Sequence, residues 1–118
     1  GNSADDILDE ARDRHERTAL WAKDQEDNLK DEAEKGDIGT EQLIRLTMKW
    51  IAIQLMAIGD AFNFAMEAKK KLDLLKKLNL VQAQKLEEAK ERADKFEKKA
   101  DQLSSKFGRE MARDLAQG

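Results

Sequence analysis

His15 is the only histidine in the chain, and there is no cysteine. A zinc site needs further Cys or His ligands. A di-metal carboxylate site in a helical bundle needs Glu-x-x-His motifs on facing helices, but the residue three before His15 is Arg12. His15 therefore reads as an ordinary seam or surface residue, and no metal or other cofactor is expected. Nucleophilic chemistry fares no better. Ser104 and Ser105 stand beside Lys106 in a stretch of helical periodicity, with no sharp turn to expose a nucleophile and no Gly-rich loop to form an oxyanion hole. The six glycines are scattered, so no phosphate-cradling loop is present. Asp60 lies inside an apolar run, where a carboxylate costs free energy unless water or a cation reaches it. At helical spacing, however, it falls on the polar strip and is expected to be solvated. These groups do not converge on acid-base, nucleophilic or metal chemistry, so the chain is expected not to be an enzyme.

The elements that carry these residues are helical. Charged residues make up 40% of the 118, proline is absent and net charge is −3. Such a composition belongs to long helices or coiled coils in one domain with a modest core, here expected to span 1–118. Residues 1–36 carry 12 acids against 6 bases, whereas 67–118 carry 14 bases against 10 acids; the two ends attract, which favours antiparallel neighbours. Gly1-Asn2-Ser3 lacks an initiator Met and is expected to be a cloning remnant, a processed end or a disordered end. No signal peptide or transmembrane helix is visible. The compartment stays open, with the cytoplasm favoured.

The expected architecture is an all-α, antiparallel three-helix bundle or coiled coil, with helices at about 4–35, 40–78 and 81–116. Ser3, Asp5 and Asp6 suit a helix start. The first helix has a thin seam, Leu8, Ala11, His15, Thr18, Ala22, Gln25 and Leu29, flanked by Trp21, and must lean on a stronger neighbour. In "KGDIGT", Gly36 suits the left-handed position after a helix and Thr40 a cap for the next. The second helix carries two apolar seams. One is Ile44, Met48, Ile51, Leu55, Ile58, Phe62, Ala65; the other is Leu43, Leu46, Trp50, Ile53, Ala57, Phe64, Ala68. Two seams imply two neighbouring helices, making this the central element.

The third helix repeats Leu86, Ala89, Ala93, Phe96, Ala100, Leu103, Phe107 in heptads, continued by Met111 and Leu115. Outer pairs Glu88 to Arg92, Glu91 to Lys95 and Asp94 to Lys98 follow the favourable acid-before-base order. Whether the chain turns near Asn79 decides the fold. Asn tolerates a left-handed backbone, Lys76 and Lys77 suit a helix end, and Leu80 is placed to make the apolar contact beyond it. The alternative is a helical hairpin with one very long second helix, roughly 115 Å from Thr40 to the end, in an oligomeric coiled coil.

The strip of the central helix outside both seams is small and apolar at its centre: Ala52, Met56 and Gly59, then Asn63. Gly costs about 1 kcal/mol in a helix relative to Ala, and Ala57, Ala61 and Ala65 also permit close approach. Ala52, Met56, Gly59 and Asn63 are thus the candidate partner-binding residues, for a second copy of the chain or another helical protein. The expected function is a non-enzymatic protein-protein interaction or assembly module that self-associates through the central helix. The alternative is a membrane-surface or membrane-active protein that inserts residues 43–66, of which 17 of 24 are apolar. Arg45, Lys49 and Asp60 interrupt that run, so it is too short to span. Lys69, Lys70, Lys71, Lys76 and Lys77 have Asp73 among them and no aromatic partner, which reads as a solvated face and not a nucleic-acid site.

Overall fold

The computed structural model describes residues 3–117, and of Ser3 only the backbone. The expectations for Gly1 and Asn2, and for a capping Ser3 hydroxyl, lie outside what is described. Three helices follow in order, α1 (Ser3–Ala33), α2 (Thr40–Lys77) and α3 (Ala83–Gln117), each within two residues of its expected bounds. Arg14 meets Glu67 and Glu26 meets Gln54, so α1 and α2 are antiparallel. Lys90 meets Asp73 and Phe107 meets Trp50, so α2 and α3 are antiparallel too. The result is an up-down-up bundle, 62 × 27 × 15 Å, with α2 packed against both neighbours.

The chain does turn at Asn79, which overturns the continuous helix from Thr40. Asn79 has φ 52. Its N–H donates to the Lys76 carbonyl at 3.1 Å and the Leu80 N–H donates to the Leu75 carbonyl at 3.0 Å. These two bonds are the Schellman arrangement, which satisfies carbonyls that the helix end would leave orphaned. Leu80 stays exposed, contrary to expectation; Val81 is the residue that packs against the core. At the other connection Gly36 is left-handed, φ 106, as expected. Thr40 does not cap α2. The N-cap is Gly39, with extended backbone and no side-chain hydrogen bond, and its carbonyl accepts the first helical bond from Leu43 at 3.0 Å.

The core occupies one end of the bundle. Ala4, Leu8 and Ala11 of α1 meet Ala65, Ala68 and Leu72 of α2 and Leu86, Ala89, Ala93 and Phe96 of α3. Alanines let the three backbones approach, while Leu8 and Leu72 fill the centre with no exposed surface; each contributes about 1.5–3 kcal/mol by burial. Toward the other end the residues between the helices grow. Trp50 and Phe107 stack tilted at 5.6 Å between ring centres, and α3 parts from α1. A groove of about 250 Å³ opens there, walled by Ala22 and Phe107 and floored by Gln54 and Ala57. The heptad of α3 is accordingly buried from Leu86 to Ala100, but Leu115 is exposed.

Ion pairs bind the helices to one another. The Arg92 guanidinium reaches Asp5 at 3.6 Å and Asp9 at 4.0 Å, and the Lys71 ammonium reaches Glu10 at 3.6 Å. Acidic α1 thus meets the basic end of α2 and the start of α3, as the charge distribution required. The pairs expected along α3, Glu88 with Arg92, Glu91 with Lys95 and Asp94 with Lys98, are not those that form among the described residues. Arg92 turns to α1, and Asp94 turns to Lys69 of α2 at 2.8 Å. A cross-helix partner was open to these side chains that periodicity along one helix does not show.

Candidate functional site

Residues 44–66 of α2 form the segment whose apolar surface exceeds what its own neighbours cover. α1 and α3 take the side bearing Leu46, Ile53, Ala61 and Ala65, all buried. The seam of Ile44, Met48 and Leu55, expected to pack inside the bundle, points away from both helices, and each of the three is more than half exposed. The expectation that both seams are inner seams is corrected at this point. The seam is covered only in part: Ala65 at its C-terminal end is buried in the core, whereas Ile44, Met48 and Leu55 stay open. Ile51, Ile58 and Phe62 are half-buried at the border with α3, and Met66 continues the open stripe with 54% exposure.

The four candidate residues divide between two settings, all exposed. Ala52 and Gly59 border the stripe on the side away from α3. A Cβ added at Gly59 would meet no atom within 4 Å, so nothing in the chain itself requires glycine there. Met56 lies further round, in a shallow groove with Trp21, Phe64 and Asp60 between α1 and α2. Asp60 lines that groove beside Arg14 and Arg17 and is only partly covered. Asn63 faces outward one turn beyond Gly59. What pattern reading missed is the continuation of the face through Met48 and Leu55, whose period matched an inner seam.

His15 sits where the closed half gives way to the groove. Its ring stacks on Phe96 at 5.3 Å and meets the edge of Phe64 at 6.0 Å. Nε2 is buried without a hydrogen-bond partner. Burial, followed by the nearby Lys99 charge, holds the imidazole pKa below its ordinary value, so the neutral ring acts as an aromatic wedge. Among the described residues no three His, Cys, Asp or Glu side chains converge to hold a metal ion. The basic cluster is partly tied down. Lys69 donates to Asp94 and Glu97, and these hydrogen bonds raise its pKa. The same contact lowers the Asp94 carboxyl.

No described helix is long and apolar enough to cross a membrane. No protein-family model matches the chain and no curated protein matches it.

Proposed function

We propose that this protein is a non-enzymatic helical-bundle assembly module that self-associates, coiled-coil fashion, through the outer face of α2. The observation that supports the reading is the exposure of four large apolar residues, Ile44, Met48, Leu55 and Met66, along one helix, with exposed Met56 further round. Scattered exposed apolar residues are ordinary, whereas a contiguous apolar strip on a helix marks a contact surface. Ala52, Gly59 and Asn63 supply the low ground that admits a second helix, with Met56 at the rim.

Self-association makes stability depend on concentration. The melting midpoint followed by circular dichroism rises with protein concentration, and Met56→Glu together with Leu55→Glu abolishes that rise while preserving helicity. A midpoint independent of concentration in the wild type contradicts the reading. A second reading rests on the same stripe leading into Lys69, Lys70 and Lys71: a surface that lies on anionic lipid. Co-sedimentation with anionic vesicles separates the two, since an assembly module stays in the supernatant.

A further inference from the structure

His15 stands between the two halves of the bundle, and its surroundings suit only the neutral imidazole. The ring is clasped between α2 and α3, stacked on Phe96 at 5.3 Å and edge-on to Phe64 at 6.0 Å. Nε2 is buried and meets no hydrogen-bond partner. A neutral imidazole can leave one nitrogen as an unused acceptor at modest cost. In the imidazolium both nitrogens become donors on a positive charge that must be solvated or paired.

No anion is in place to receive that charge. On α1, Arg14 engages Glu10 and Glu67, and Glu16 is exposed on a side that consecutive helical positions do not share. On α2, Glu67 is thus taken, and Asp60 lies in the other groove with Arg14 and Arg17. On α3, Asp94 and Glu97 both hold Lys69. Glu26 and Glu110 stand about three and four turns further along the groove walls. The phenyl rings offer no better reception, since each already carries a cation. The Lys99 ammonium lies 5.4 Å from the centre of Phe96, and the Arg14 guanidinium lies 5.6 Å from that of Phe64. A protonated His15 adds a third positive charge to this cluster.

Its position gives the ring leverage. In the closed half, Arg92 joins α3 to α1 through Asp5 and Asp9. Toward the groove, the His15 and Phe96 stack is the last ring contact, hydrogen bond or ion pair between α1 and α3 among the described residues. Beyond it each helix is held to α2 alone, α1 through Glu26 and Gln54, α3 through Phe107 and Trp50. We infer that His15 is a proton-operated latch: protonation expels its ring from between Phe64 and Phe96, and α1 and α3 part along the groove while the alanine-packed half stays closed. The ion pairs of the closed half persist, because carboxylates stay ionised over the pH range in which a histidine titrates. The latch belongs to each chain by itself and does not depend on self-association through α2.

With no native cysteine, spin labels can be placed through Lys23→Cys and Lys106→Cys, exposed positions on the α1 and α3 walls of the groove. Labelled full-length chain is diluted into an excess of the same variant unlabelled, so that the distance read by pulsed electron resonance lies within one chain. Between about pH 7.5 and about pH 5 the distance is expected to lengthen while helicity by circular dichroism is unchanged. Its midpoint falls below 6.5 and coincides with the titration of the His15 ring resonance, the single histidine signal of the chain. In a His15→Phe background, which keeps an aromatic ring and has no proton to gain, the distance stays short throughout. Should phenylalanine spread the helices at every pH, His15→Leu serves as the control that does not titrate. A wild-type distance that stays fixed while the ring titrates overturns the latch. Equal lengthening in the control assigns the opening to carboxylates and overturns it too, as does lengthening that comes with loss of helicity, which is unfolding.

Discussion

Two single residues report on the account in opposite ways. Gly59 has open space around its backbone, so Gly59→Ala removes a flexible residue from a helix at no steric cost within the chain. Chemical denaturation in dilute protein is expected to show a gain of about 1 kcal/mol. A loss would place another backbone against position 59. His15 reports through pH. Its folded-state pKa is depressed below 6.5 by burial and by Lys99, so the unfolded chain binds a proton that the folded chain resists. The His15 contribution is complete above about pH 6.5 and is lost as pH falls through that value toward the folded one. Between about pH 7 and pH 5 the wild type loses more stability than His15→Phe, which keeps the stacking on Phe96 and does not titrate. Equal losses in urea titrations would contradict the burial of this ring. In the core, Leu72→Ala costs about 2–5 kcal/mol, since the side chain has no exposed surface to lose.

At the scale of the elements, the turn at Asn79 is the feature on which the bundle depends. Its backbone is left-handed, so Asn79→Ala costs about 1 kcal/mol and Asn79→Gly is neutral or stabilising. The sign is diagnostic: were α2 and α3 one continuous helix, alanine would stabilise and glycine would destabilise. Thermal midpoints of the two variants settle it. Most of this level was legible in the sequence. Helix bounds followed from Gly36, from the Lys76, Lys77 and Asn79 signals, and from the seam of α3. Thr40 is not the cap its hydroxyl suggests, because Gly39 supplies the extended backbone and accepting carbonyl without any side chain. The two seams of α2 were legible as apolar but not as inner and outer. Hydrophobic period reports how much apolar surface a helix presents, and it is silent on which chain covers it. Only the packing of α1 and α3 on the Leu46, Ile53 and Ala65 side shows that Met48 and Leu55 remain outside.

The whole molecule is a bundle closed by alanines at one end and held open by Trp50 and Phe107 at the other. Its stability is concentrated accordingly. Amides around Ala68, Leu72, Ala93 and Phe96 are expected to exchange slowest with solvent, and those beyond Leu103 fastest, in a hydrogen-exchange experiment on the dilute protein. Five of the seven large exposed apolar residues of α2, Leu43, Ile44, Met48, Leu55 and Met56, lie on the open half, where an isolated three-helix unit gains least from its own packing. The proposed assembly through that half would stabilise the part of the fold that gains least from its own packing. The most direct test is the absolute mass from light scattering during size exclusion, measured for the wild type and for Leu55→Glu. The proposed self-association predicts at least twice the 13.5 kDa chain mass for the wild type and a single-chain mass for a variant of unchanged helicity. A wild-type mass of one chain at every concentration, or an undiminished dimer with glutamate at position 55, would contradict it.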